Sequence, residues 1–482
     1  MSPLATPLSW CVPVAAAPGA CGHGREKDHS ESMAALADGS TLPGRVARYV
    51  RVATIMGRFV SHLAGERYLG RRHDRAALAR ELKEALGRLR GPIVKAAQML
   101  ATVPGALPAV YVAEMLALQS NAPPMGWTFV KRRMASELGP DWPSRFAAFE
   151  REAAAAASLG QVHRATGLDG RLLACKLQYP GMETAVEADL RGLDVALRVL
   201  QQYQRALIMG NVRAELEERL REELDYALEA LHMALYRDML RGEPRIHVPE
   251  PVPELSTKRL LTMTWLEGQP LLSWLDRAGA RQRADLAETM FRAWYVPFFN
   301  YGVLHGDPHL GNYTVRPDGS LNLLDFGCVR TFPPALVRAV IDLYHAVRTG
   351  DEGLAAHAYR TWRFKNLSRE VMDALNVWAR FIFEPGLEDT SRTLGALTGD
   401  VHGREIAERV IAELHRAGGV DVPREFVIMD RAAIGLGAVF LHLQAEVNWH
   451  RLFNDLIADF DFGALERRQA LTLCRHGVPR PA

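Results

Sequence analysis

At 482 residues, with 48% hydrophobic and 24% charged side chains, the chain is long enough for two or three domains around a large core. Its formal net charge of +2 excludes a global electrostatic pull toward nucleic acid, so any basic surface must be local. The cysteines (Cys11, Cys21, Cys175, Cys328, Cys474) are few and scattered and form no Cys-x-x-Cys pair, which points away from zinc and toward a reducing compartment.

No run of about 18 consecutive apolar residues occurs, so no membrane span is expected. Met1 to Gly24 is apolar but has no basic residue before Arg25, which argues against a secretory signal. Residues 1–40 read as disordered, or as lying upstream of a start at Met33. From Leu42 to Arg80 the pattern is helical, with Val46, Tyr49, Val50, Ala53, Met56, Val60 and Leu63 on one face. Arginines from Arg45 to Arg75 crowd the other face against only Glu66 and Asp74. Such a face suits an anionic membrane surface, and equally a helix docked on the protein with its arginines in water.

Pro92 fits the first turn of a second helix, on which Lys95 and Gln98 lie three apart and share a face. Prolines at 104, 108, 123 and 124 interrupt the next stretch of chain, leaving a helix over about 109–119. An alanine-rich stretch, Ala153 to His163, then leads through a Gly-Leu-Asp-Gly turn into the strand-like segment Gly170 to Leu177. Small residues before a strand let backbone amides approach a phosphate, which makes Ala155, Ala156, Ser158 and Gly160 candidates for that contact. Lys176 sits where a lysine could neutralise phosphates.

Two helical stretches come next, over about 183–207 and 211–240. In the second, Glu222, Asp225 and Glu229 share roughly one face, and an acid on a half-buried face needs a basic partner. Lys176 is the natural one for Glu229. Ile246–Pro249 and Arg259–Leu266 read as a strand pair. Met263, Thr264 and Trp265 would lead into the segment that reads a nucleobase, although a core role for Trp265 is the alternative.

The densest chemistry lies at His305-Gly306-Asp307-Pro308-His309-Leu310-Gly311-Asn312, followed by Asp325-Phe326-Gly327. Strand-like runs at 313–315 and 321–324, joined by Arg316-Pro317-Asp318-Gly319, make a hairpin that carries Asp307 and Asp325 toward one site. Phosphoryl transfer needs one aspartate to orient the attacking hydroxyl, and an asparagine and a second aspartate to hold metal. The five-residue step from Asp307 to Asn312 and the order of the triplet fit that chemistry. The remainder reads as helix, over about 282–301, 334–349, 352–363, 369–383, 401–417 and 430–446.

Together these residues resemble the UbiB family of atypical kinases, the AarF-type proteins linked to ubiquinone biosynthesis, over roughly Leu42 to Phe440. The family's Lys-x-Gly-Gln signature stands here as Lys95-Ala96-Ala97-Gln98, with alanine in place of glycine. Its alanine-rich loop matches Ala154 to Gln161, its strand lysine Lys176, and its Glu-x-Asp motif Glu223 and Asp225. The lysine-pairing glutamate matches Glu229, the catalytic loop His305 to Asn312 (with Leu310 for a proline), and the metal aspartate Asp325.

The resemblance implies an α+β, two-lobed protein-kinase-like fold. A helical extension (41–140) would lie over the active site, followed by an N-lobe with a helical insertion (141–268) and a mostly helical C-lobe (269–482). It implies ATP or ADP with Mg²⁺ as cofactors, and Lys95 and Gln98 in the cleft against Glu223 or Asp225. No Ala-Pro-Glu triplet follows Gly327 and the chain runs directly toward a helix, which disfavours phosphorylation of proteins. The implied function is an atypical kinase or ATPase supporting isoprenoid-quinone synthesis. Its partners would be nucleotide, a lipid or quinone precursor and an anionic membrane surface, with a homodimer left open and no nucleic acid. Its place would be cytoplasmic or peripheral on the inner face of a bacterial membrane. Two alternatives stand beside it: a small-molecule phosphotransferase of the aminoglycoside or choline kinase type, and a nucleotide-switched lipid-binding scaffold.

Overall fold

A computed structural model describes residues 75–87, 92–101, 124–156, 159–187, 189–190, 212–394, 400–420 and 422–481, together with Thr54, Gly57, Tyr111, Glu114 and Met115. Most of the arginine-rich helix, the 109–119 helix, Ser158 and the side chain of Gln98 lie outside the described residues.

Helices α1 (Arg75–Gly87), α2 (Pro92–Ala101) and α3 (Trp127–Leu138) precede a four-stranded antiparallel sheet. Its strands β1 (Phe146–Ala156), β2 (Gly160–Gly167), β3 (Leu172–Gln178) and β5 (Leu260–Thr264) lie in the order β1-β2-β3-β5. On β3 the two-residue period decides the faces: Leu173, Cys175 and Leu177 are buried against Val130, Met134 and Trp142, while Ala174 and Lys176 face the other way. Each such buried apolar side chain contributes about 1.5–3 kcal/mol.

The helix expected over 211–240 is two helices, α4 (Val212–Glu222) and α5 (Tyr226–Met239). The break has a local cause. Asp225 leaves helical geometry (φ −103°, ψ 86°) and its side chain accepts the Leu228 N–H at 3.1 Å, capping α5, while the buried Gln178 amide donates to the freed Leu224 carbonyl at 2.9 Å. Glu222, Asp225 and Glu229 therefore do not line one continuous face. Strand β4 (Ile246–His247) also departs from its expected pairing with the 259–266 segment. It pairs in parallel with β9 (Leu321–Leu323) in a second sheet, ordered β4-β9-β8-β6, that includes β6 (Gln269–Pro270) and β8 (Tyr313–Val315). The neighbour of β5 is instead the stretch after β4, where Thr264 N–H donates to Glu250 O at 2.9 Å and Val252 N–H to Thr262 O at 2.8 Å.

The large lobe comprises α6 (Leu271–Leu275), α7 (Ala280–Tyr301), α8 (Pro334–Thr349), α9 (Glu352–Thr361), α10 (Arg369–Leu387), α11 (Asp400–Arg416), α12 (Arg424–Leu443), α13 (Trp449–Ile457) and α14 (Phe462–Arg475). The hairpin forms in the register Tyr313↔Leu323, Thr314↔Asn322 and Val315↔Leu321. Strands β7 (Val303–His305) and β10 (Val329–Thr331) pair directly after the Asp-Phe-Gly triplet, and α8 begins three residues later, so no activation segment intervenes. Met233, Leu235 and Tyr236 of α5 belong to the same core as the large-lobe helices.

Helix α12 is long and apolar enough to cross a membrane by length and composition, with a mean hydropathy of 1.6 and 39% of its apolar window buried. Phe426, Leu436, Val439, Phe440 and Leu443 enter the large core, and Gly435 lies so close to Pro308 of the His305–Asn312 loop that a Cβ there would collide with the proline ring.

Asp430, on the same helix, is buried with the Trp378 indole N–H donating to it at 2.7 Å. Burial lifts its carboxyl from 3.8 to about 7, so the folded chain holds this proton where the unfolded chain has released it. Stability from this site is full below about pH 4 and is lost as pH rises toward 7. Asp430→Asn, neutral at every pH, should be more stable than wild type at pH 8 by at most about 4 kcal/mol, with the gap closing near pH 4. Denaturant melts at the two pH values measure this difference.

Candidate active site

Helix α2 is aimed by its N-terminus. The buried Asp189 carboxylate accepts the Ile93 N–H at 2.9 Å, an anion placed at the positive end of the helix. Two residues later, Lys95 Nζ meets Asp307 Oδ2 at 2.7 Å and Glu223 Oε1 at 2.9 Å. The helix break just before α5 is what turns Glu223 toward this lysine. Asp225 does not join it, its side chain being used as the cap of α5. Lys95 thus meets the Glu of the Glu-x-Asp motif and, beyond what the sequence suggested, the catalytic-loop aspartate itself.

Lys176, on the cleft face of β3, donates to both oxygens of Glu229 at 2.8 and 3.0 Å and to Asp325 Oδ2 at 3.2 Å. Tyr226, at the first position of α5, lays its ring 5.1 Å from the Lys176 ammonium. Sequence reasoning passed over Tyr226, although a residue one turn before Glu229 shares its helix face and so the same lysine. The four carboxylates and two lysines form one electrostatic unit. Burial alone would lower both lysine pKa values, yet Asp307, Glu223 and Asp325 hold Lys95 well above its usual range, and Asp325 and Glu229 do the same for Lys176. Burial lifts Glu229 to about 7 and raises Glu223, against the pull of Lys176 and Lys95 respectively. Burial also works against ionisation of Asp307 and Asp325, but Lys95 overcomes it at the first and Lys176 at the second, so both lie below the usual carboxylate range.

His305 joins the two aspartates through their backbones. Its Nδ1 accepts the Asp307 N–H at 3.2 Å and its Nε2 donates to Asp325 O at 2.6 Å, a tautomer assigned from these partners. Tyr236 of α5 packs its ring against His305 and Phe326, at centroid distances of 6.0 and 5.3 Å. Asn312 donates its side-chain amide to Asp307 O at 3.0 Å, which leaves the amide oxygen for a ligand.

The predicted phosphate contacts come out unevenly. Ala155 and Ala156 are exposed at the end of β1. Gly160 is buried, and a Cβ there would run into Leu177 O, so its small size serves the close approach of β2 to β3. At the base end, Met263 is buried in β5, and the Thr264 and Trp265 amides donate to Glu250 O and Leu172 O at 2.9 and 2.8 Å. Those two amides are committed to strand pairing and do not remain for a base.

Among the described residues no group of three or more His, Cys, Asp or Glu side chains is placed to hold a metal by itself, which leaves room only for a cation such as Mg²⁺ that takes one or two protein carboxylates and the rest of its shell from phosphate and water. Four carboxylates (Glu223, Glu229, Asp307, Asp325) face two ammonium groups (Lys95, Lys176), so the acids outnumber the bases in a largely dehydrated cluster, and burial offsets this by raising Glu223 and Glu229. Asp325 and Asn312 would hold Mg²⁺.

Residues 117–358 match the ABC1 atypical kinase-like domain. Atypical kinase COQ8, mitochondrial, of Saccharomyces cerevisiae is 29% identical over 51% of this chain and 49% of its own length. A chloroplastic aarF domain-containing protein kinase of Arabidopsis thaliana is 32% identical over 54% of this chain and 37% of its own. The chain spans about half the length of the curated relatives it matches. Among solved structures, the complex of Rv3197 with erythromycin from Mycobacterium tuberculosis superposes with a TM-score of 0.55 at 28% identity, covering 79% of this chain and 95% of that one. With its two-lobed kinase-like fold, the chain belongs to the ABC1 atypical kinases, the UbiB/AarF family that its motifs resemble.

Proposed function

We propose that this chain binds Mg-ATP and passes its γ-phosphoryl to water or a small molecule, in support of isoprenoid-quinone (ubiquinone) biosynthesis. The observation that carries this reading is Lys176 held between Glu229 and Asp325, with Asp307 across the same cluster. When bound, the metal would neutralise charge developing on the phosphates. Lys176 would neutralise phosphate oxygens with Glu229 fixing its ammonium, and Asp307 would orient the attacking hydroxyl once Lys95 releases it. Helix α2 lies where a peptide acceptor would approach Asp307, which favours a compact acceptor. Contact with an anionic membrane through the arginine-rich segment belongs to the same proposal. ATP turnover with and without cardiolipin-containing liposomes tests that part.

The central test is nucleotide-dependent unfolding. Wild type should gain about 2.7 kcal/mol with Mg-ATP at a hundredfold excess over its dissociation constant. Asp325→Asn should lose most of this gain, and a variant that responds to Mg-ATP as wild type does would refute the metal assignment.

A further inference from the structure

The two lobes are tied together at both ends of the cleft. At the phosphate end the tie is Lys176 to Asp325, at 3.2 Å. At the other end Arg164 of β2 reaches Glu267 at 2.8 Å, and its guanidinium lies 5.1 Å from the Trp265 ring centroid. Sheet register puts Arg164 on the cleft side. It pairs with Ala174 as Val162 pairs with Lys176, and Ala174 pairs in turn with Met263. Glu267 is anchored to the large lobe, because its carbonyl accepts from the fully buried Asn322 amide at 3.0 Å. The Trp265 indole N–H is buried without a partner among the described residues, a donor left for a guest or a water.

We propose that Arg164, Trp265 and Glu267 form a latch across the nucleobase end of the cleft, and that its opening sets how fast a purine nucleotide leaves. The inference rests on the nucleotide-binding reading above and adds a kinetic role to residues outside the phosphate chemistry. Arg164 and Glu267 are 33% and 63% exposed, so the ion pair alone is weak. The hold comes from adding the planar guanidinium, which covers the indole and presents a face on which a base can stack.

Release of a fluorescent N-methylanthraniloyl ADP from the full chain, in the presence of Mg²⁺, reads the latch directly. Arg164→Ala and Glu267→Ala should each speed release about three- to tenfold. The charge exchange Arg164→Glu with Glu267→Arg should restore much of the wild-type rate, which a merely structural role would not. Inorganic tripolyphosphate has no base, so its competition should be the same for all four proteins. Unchanged release in the single variants, no recovery in the exchange, or an equal loss of tripolyphosphate binding would each overturn the latch. If wild type itself fails to bind the labelled ADP, the proposed function falls and the latch with it. If wild type binds and the variants match it, the latch alone falls.

Discussion

Asp307→Asn should leave nucleotide-induced stabilisation nearly intact while ATP turnover falls by about 10²- to 10⁴-fold. The two readouts should separate because the proposed function gives Asp307 and Asp325 different work in one cluster. Lys95, 2.7 Å away, holds the Asp307 carboxyl below its usual range against the opposing effect of burial, so the group is ionised at neutral pH. An acid so depressed is a poor proton acceptor, and in the proposed mechanism it would orient and polarise the attacking hydroxyl. An asparagine keeps the shape and the backbone contacts to His305 and Asn312 but loses the charge. Turnover of wild type should accordingly show no Asp307-dependent fall between about pH 5 and 8, because the depressed group titrates below that window. Phosphate release and thermal shift on the same samples measure both quantities. Equal turnover in wild type and variant would remove Asp307 from the chemistry.

The catalytic hairpin was legible because its information is local. Turn residues, two three-residue strands and the His305-to-Asn312 loop are close in sequence, and tertiary packing had only to confirm their geometry. Lys176 and Glu229 were also legible, as a charge on a strand and an acid on a helix that each required the other. Lys95 in the cleft came from the family resemblance, since the residues alone placed it only on a helix face shared with Gln98.

The features that stayed hidden depend on distant partners. Helical periodicity runs unbroken through 211–240, and only the capping geometry of Asp225, with Gln178 waiting for the Leu224 carbonyl, selects the break. Strand β4 is two residues long, too short for alternation to name its neighbour, and its partner β9 lies more than seventy residues away in sequence. The apolar character of α12 likewise comes in a helical pattern interrupted by polar residues, which a search for consecutive apolar residues does not register. Asp430 on that helix looks like an ordinary surface acid until the Trp378 contact and its burial are known.

Lys95→Met should destabilise the chain by about 3–5 kcal/mol at pH 8 and by less at pH 5. Lys95 is the countercharge nearest to Asp307 and Glu223, and removing it leaves four carboxylates around Lys176 alone. The sign of the pH dependence comes from the acids that burial has already raised. Glu229 titrates near 7 in the folded chain against 4.5 when unfolded, and Glu223 is raised as well. Such groups bind protons in the folded state that the unfolded state has released, so their stabilising effect is lost as pH climbs from about 4.5 through 7. Without Lys95 the raised pKa values move further up and the loss steepens. The same deficit of positive charge should favour a divalent cation, because Lys95 at Asp307 and Glu223 and a metal at Asp325 would both neutralise the one carboxylate cluster. Millimolar MgCl₂ should therefore raise the melting temperature of Lys95→Met more than that of wild type, and KCl of equal ionic strength should not. Melts at pH 5 and pH 8 with each salt decide the matter. A variant as stable as wild type at both pH values, or one indifferent to Mg²⁺, would show that Lys95 is not the cation around which this cluster is balanced.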